Sequence, residues 1–196
     1  MPEAPVHHVH PLGVGDVVPD FTLPDHNGTQ RTLSEAVAER PVLLVFYPFA
    51  FSGICTGELS EIRDDLGAFD NDGVQVWAIS CDPTPSLLAW ADKEGYFFPL
   101  LSDFWPHGGV AASLGILHER GFAVRGTFLV DADRVIRWAL VRGRPGPPKV
   151  SYGNTRHRKM WGVPVRLPCL RRRRRAPHGR SLRTAPRGVA VVVRRR

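Results

Sequence analysis

Four residues in this chain are spaced so that they could do chemistry together. Cys55 lies in FYPFAFSGICTGEL, residues 46–59, three positions after Ser52 and seven after Pro48. A thiol is a nucleophile only as the thiolate, and a free cysteine titrates at about 8.5. A helix N-terminus offers such a group unpaired N–H donors and a partial positive charge. A guanidinium adds a charge that ordinary pH does not remove. Arg125, in VRGTFLVD, is one of only eight basic residues among the first 141, which hold all nineteen acids, so solubility does not account for it. Ser52 can donate a hydrogen bond to the sulfur or to a substrate, and Pro48 can close a pocket against water. A lone cysteine in apolar surroundings is ordinarily a small buried hydrophobe. The case for Cys55 as a nucleophile therefore rests on its neighbours.

A scaffold must hold these side chains, and the patterning supplies one. With 196 residues, 43% of them hydrophobic, the chain can bury one ordinary core. No apolar run reaches the roughly 20 residues of a membrane-spanning helix. DFTLPDHNGTQRTLSE reads as two short strands about an Asn27-Gly28 turn. Ser34 is placed to cap a short helix, SEAVAER, which Pro41 stops. VLLVFYP has the length and unbroken apolarity of a central strand buried on both faces. Ile54, Leu59, Ile62, Leu66 and Phe69 recur near helical spacing and predict a helix over 53–69, with Cys55 in its first turn. VQVWAIS reads as a second buried strand, and TPSLLAWADKEGY as a helix from near Pro85 to Gly95. FPLLSD reads as a third strand, HGGVAASLGIL as a short helix, and RGTFLVDADRVIRWALV as a hairpin turning at Asp131-Ala132-Asp133. This alternation predicts an α/β three-layer sandwich with helices on both faces of a mixed sheet. The order is that of a thioredoxin-like fold with extra N-terminal strands. A neighbouring strand of such a sheet could bring Arg125 close to Cys55.

The residues around Cys55 resemble the peroxiredoxin signature: a proline, three residues, Ser or Thr, two residues, then cysteine, as in Pro48-Phe49-Ala50-Phe51-Ser52-Gly53-Ile54-Cys55. Arg125-Gly126-Thr127-Phe128 followed by LVD looks like the second active-site segment of that family, and VGDVVPDFTLPD like its N-terminal strand. FPLLSDFWPHGGVAASLGI resembles the one-cysteine, alkyl hydroperoxide reductase E type. The resemblance spans about residues 13–141, with four motifs in the family's order. It implies a peroxiredoxin variant of the thioredoxin fold acting as a thiol-dependent peroxidase in antioxidant defence. Hydrogen peroxide, organic hydroperoxides or peroxynitrite would be the substrates. Cys55 would be the peroxidatic cysteine, passing through a sulfenic acid. Arg125 would favour the thiolate and hold the peroxide oxygens, Ser52 would hydrogen-bond the substrate, and Pro48 would shield the sulfur. The resemblance calls for no metal and no organic cofactor. It suggests a homodimer reset by an external thiol: mycothiol with a mycoredoxin, or alternatively thioredoxin.

Other candidates weigh less. Glu58 and Ser60 stand three and five positions after Cys55, where a dithiol enzyme or some peroxiredoxins would carry a second cysteine. Glu58 is a candidate to position Arg125. Cys81 and Cys169 read as structural or incidental thiols. His107 reads as structural or as lining the pocket rim, and Phe104 and Trp105 as pocket wall or dimer surface. His7, His8 and His10 lack an acid or cysteine partner at metal-binding spacing and read as a polar arm.

Charge divides the chain. Eight basic against nineteen acidic residues give residues 1–141 a net charge of −11, whereas residues 142–196 carry eighteen basic residues and no acid. Residues 1–14 read as a flexible leader, 15–141 as the peroxiredoxin domain, and 142–196 as an Arg/Pro/Gly-rich tail that is disordered or poorly packed. RRRRR at 171–175 could bind nucleic acid through phosphate contacts. The loss of every acid and the dominance of residues with G/C-rich codons instead favour translation of a shifted reading frame. The family's final helix is not visible in the tail. The alternative to an enzyme is a thioredoxin-fold binding protein whose basic tail engages nucleic acid. Three scattered cysteines and no signal-peptide pattern predict a cytoplasmic location without membrane attachment.

Overall fold

The computed structural model describes residues 10–71 and 73–142. The expected central strand, VLLVFYP, is β3 over its first five residues (Val42–Phe46), all of them buried, and it ends before Tyr47 and Pro48. It is preceded by β1 (Thr22–Pro24), β2 (Gln30–Thr32) and α1 (Leu33–Glu39). After it come α2 (Gly53–Asp64), α3 (Leu66–Asn71), β4 (Gln75–Ser80), α4 (Thr84–Glu94), β5 (Leu100–Ser102), α5 (Gly109–Ser113), β6 (Gly126–Val130) and β7 (Ile136–Val141). β1 and β2 form a separate hairpin, and the other five strands form one sheet in the order β5-β4-β3-β6-β7. β3, β4 and β5 run parallel, while β6 and β7 join antiparallel. The predicted mixed sheet is thus present.

Alternation along β3 divides the core into two layers. Val42, Leu44 and Phe46 face one side with Ile79, Phe128, Leu33 and Val37 of α1, and Val110 and Ala111 of α5. Leu43, Val45 and Tyr47 face the other side with Leu59 and Ile62 of α2 and Leu87 and Trp90 of α4. Period-2 alternation makes this division unavoidable for a strand buried on both faces. Each Leu or Phe so buried contributes roughly 1.5–3 kcal/mol.

Several boundaries differ from expectation. The helix expected over 53–69 breaks at Asp65 (φ −100°, ψ 6°). Its buried face is Cys55, Leu59 and Ile62, spaced i, i+4, i+7, so Ile54 turns outward and is 60% exposed. Ser34 does not cap α1. It lies inside the first turn, and its N–H is satisfied by Asp20 Oδ1 at 2.9 Å. The expected leader begins beyond the described residues, but its end packs on the body. Leu12 is buried, its N–H bonds to Leu114 O at 3.0 Å, and the His10 carbonyl lies so close to Gly115 (φ +69°) that a side chain there would collide with it. Residues 143–196, with the arginine runs and Cys169, lie outside the described residues.

Candidate active site

Pairing between β3 and β6 builds the site. The antiparallel register sets Phe46 opposite Gly126, so Arg125 enters its strand where β3 ends and the loop to α2 begins. The Arg125 carbonyl is held from the other side by the N–H of Arg142, at 3.0 Å. That loop, Tyr47–Ser52, delivers the chain to α2, with Ser52 as N-cap and Cys55 as the third helical residue. Ser52 O accepts the Thr56 N–H at 2.8 Å, and the Ser52 hydroxyl makes no capping bond. Pro48 is half-buried on the same loop.

Cys55 is wholly buried at the sheet end of α2. Arg125 Nη2 donates to Cys55 Sγ at 3.2 Å, and Arg125 Nε donates to Glu58 Oε2 at 2.8 Å. Glu58 follows Cys55 by nearly one helical turn, so the sulfur and the carboxylate meet one planar fork. Burial works against the guanidinium charge, but Glu58 and Cys55 outweigh it and raise the Arg125 pKa further above its ordinary value. The sulfur therefore has a fixed cation in contact and a helix N-terminus beneath it.

The expected residues do not all converge. Cys55, Arg125 and Glu58 touch, and Pro48 and Ser52 share the loop that leads to them. Cys81 packs against the opposite layer of the core. Burial first, with Asp103 and Asp82 adding to it, pushes its thiol up to about 12. His107 sits two residues before α5, the helix that packs against that opposite layer, with its ring 4.6 Å from that of Trp105. Trp105 and Phe104 are 70% and 50% exposed. A cavity of about 330 Å³, lined by Arg31, Arg40, Trp77, Phe97 and Pro99 among others, contains none of the expected site residues. Among the described residues no group of three or more His, Cys, Asp or Glu could hold a metal ion. His7 and His8 lie outside those residues.

The profile of the AhpC/TSA family matches residues 14–139. The chain belongs to that family and is a peroxiredoxin. It is 46% identical over 151 residues to alkyl hydroperoxide reductase E of Mycobacterium tuberculosis, covering 76% of this chain and 94% of the relative. Peroxiredoxin Bcp of Escherichia coli is 36% identical over 132 residues, 64% of this chain and 83% of that protein. Among solved structures, peroxidoxin BcpB of Mycobacterium tuberculosis superposes with a TM-score of 0.63 at 36% identity, covering 66% of this chain and 86% of that one. As a peroxiredoxin the protein is a thiol-dependent peroxidase, of a family that acts on peroxides with thiol reductants. No helix among its described residues is long and apolar enough to cross a membrane.

Sequence reasoning missed three features of this peroxiredoxin's site. Phe51 adopts φ +59° in the middle of the loop, with its ring 6.1 Å from Trp90 and Lys93 Nζ 5.7 Å from its own centroid. Phe49 packs on Phe122 at 4.8 Å, tying the loop to the turn before Arg125. Asp82 accepts the Ala50 N–H at 2.8 Å. An acid two residues past the end of a buried strand, as in AISCD, is the signal for the last. Nothing in the local pattern announced the other two.

Proposed function

We propose that Cys55 is the peroxidatic cysteine, that Arg125 and Ser52 orient the peroxide, that Pro48 shields the sulfur, and that Glu58 aims Arg125. The contact carrying this reading is the 3.2 Å hydrogen bond from Arg125 Nη2 to Cys55 Sγ. In the proposed reaction the thiolate attacks the terminal peroxide oxygen. The S–O bond forms as the O–O bond breaks, and the leaving alkoxide or hydroxide takes up a proton to become an alcohol or water. Arg125 and the first turn of α2 stabilise the charge that shifts from sulfur to the leaving oxygen. An external thiol then condenses with the sulfenic acid and expels water. A second thiol frees Cys55, so two thiols become one disulfide for each peroxide reduced.

Alkyl hydroperoxides are the favoured substrate class in this proposal. Phe49 and Phe51 are about half exposed and Ile54 is 60% exposed, all on the segment that carries Cys55. Exposed apolar side chains next to Cys55 in the chain would give an alkyl group surface that hydrogen peroxide cannot use. Mycothiol with a mycoredoxin, or thioredoxin, is the proposed reductant, and a homodimer in the cytoplasm the proposed state. Residues 15–141 form the catalytic unit in this reading, and the basic segment after them serves no step. Stopped-flow oxidation by hydrogen peroxide and by an alkyl hydroperoxide, with mass spectrometry of Cys55, tests the proposal. Wild type should gain one oxygen on Cys55, and faster with the alkyl substrate. Peroxide loss no faster than with Cys55→Ser would refute it.

A further inference from the structure

The loop Tyr47–Ser52 carries Pro48 and Ser52 to the thiol, and its midpoint is tied to a residue that the reaction scheme leaves unused. Ala50 N–H donates to Asp82 Oδ2 at 2.8 Å. The same oxygen accepts Ser80 Oγ at 2.9 Å, and Asp82 N–H reaches back to Ser80 Oγ at 3.3 Å. The Asp82 carbonyl accepts Ser102 Oγ at 2.7 Å. Ser80 and Ser102 are register partners at the ends of β4 and β5, and Asp103 N–H bonds Ser80 O at 2.8 Å. The carboxylate therefore stands on the rigid end of the parallel ladder.

The loop has two further fixed points. Tyr47 N–H donates to Ile79 O at 3.1 Å before it, and Ser52 O accepts Thr56 N–H at 2.8 Å after it. Between them Phe51 holds a left-handed conformation, which a non-glycine residue keeps only where its surroundings enforce it. The bond at Ala50, one residue earlier, is charge-assisted and part-buried, the stronger kind of hydrogen bond. Without it the backbone between Pro48 and Ser52 loses its central hydrogen bond and keeps only the ring contacts of Phe49 and Phe51, which loosens both residues relative to Cys55.

We infer that Asp82 is a positioning residue for the peroxidatic loop: through Ala50 N–H it fixes Pro48 and Ser52 relative to Cys55. The inference rests on Cys55 being the reacting thiol, as proposed above. Asp82→Ala removes the acceptor, whereas Asp82→Asn keeps an oxygen for Ala50. In the full-length protein, two rates are compared: oxidation of Cys55 by peroxide and its alkylation by iodoacetamide, which does not use the peroxide geometry.

The expected result is oxidation slowed about tenfold or more in Asp82→Ala and less than about threefold in Asp82→Asn, with alkylation slowed in neither, since small misplacements of reacting groups cost rate steeply. Oxidation of Asp82→Ala at the wild-type rate would overturn the inference. So would Asp82→Asn as slow as Asp82→Ala, or alkylation falling in step with oxidation. Amide hydrogen exchange at Ala50 gives a reading that needs neither turnover nor a folded Asp82→Ala protein. Protection is expected in wild type and in Asp82→Asn, and rapid exchange in wild type overturns the inference. An inactive wild type with a protected Ala50 amide would instead count against Cys55 as the peroxidatic residue.

Discussion

Arg125 lies between Cys55 and Glu58, giving one N–H to the sulfur at 3.2 Å and another to the carboxylate at 2.8 Å. Two fixed partners on one helix leave the planar fork a single orientation. Arg125→Lys keeps the charge but cannot make both bonds. Its rate of oxidation by peroxide should fall about 100-fold, the scale of losing one oriented donor. Glu58→Gln keeps an acceptor for Nε and should lose much less. Single-turnover stopped-flow kinetics on both variants, with circular dichroism to show that each is folded, checks the pair.

The two described thiols should separate cleanly. Cys55→Ser should abolish peroxide reduction, and because the site is wholly buried its hydroxyl should also cost stability, on the order of 1–3 kcal/mol. Cys81→Ser should leave the rate of Cys55 oxidation unchanged, since Cys81 packs in the other layer of the core. A disulfide between Cys55 and Cys81 in oxidised wild type, seen by mass spectrometry, would contradict that layering.

Asp103 gives stability a dependence on pH. It is wholly buried, its carboxylate accepts the Val110 and Ala111 N–H groups, and desolvation raises its pKa to about 6 against those two bonds. An acid whose pKa is raised on folding binds its proton more tightly in the native state. Its contribution to stability is therefore full below the unfolded value of 3.8 and is lost as pH rises through about 6. At about 1.4 kcal/mol per pH unit the loss is on the order of 3 kcal/mol. Urea midpoints from pH 4 to 7 should show this slope in the difference between wild type and Asp103→Asn. Parallel curves for the two proteins would show that the residue does not titrate there.

Phe51 sets backbone strain against packing. At φ +59° any side chain is disfavoured, while the ring gains contact with Trp90 and Lys93. Phe51→Ala loses the packing and keeps the strain, whereas Phe51→Gly loses both. The glycine variant should be the more stable of the two by about 1 kcal/mol. Equilibrium unfolding in urea measures the difference. Alanine as stable as glycine would mean that the loop relaxes out of the left-handed region.

The fold was legible because its signals are collective. An unbroken apolar run, helical periodicity and turn residues each recur, and together they placed β3, β4, α4 and the final hairpin. Cys55 and Arg125 could be paired because strand order alone brings residue 125 beside the end of β3. What escaped notice depends on single geometries. Ile54 belongs to the apolar set that predicts α2, yet spacing shows only that some apolar face exists, and Cys55, not Ile54, holds the inward position. Ser34 lies inside the first turn of α1, not ahead of it, and its own N–H is taken by Asp20 Oδ1, a carboxylate fourteen residues away in sequence that no local pattern announces. Phe51 and Asp82 act through one backbone torsion and one hydrogen bond, and neither leaves a periodic trace.

Cys55 and Arg125 are seventy residues apart in sequence, and Arg142 N–H closes the ladder on Arg125. On the ribosome, therefore, the thiol emerges long before its guanidinium. Until β6 and β7 have been synthesised and paired, Cys55 has no guanidinium in contact. Its guanidinium partner is in place only in a chain completed through residue 142, so a nascent or unfolded copy exposes the thiol without that contact.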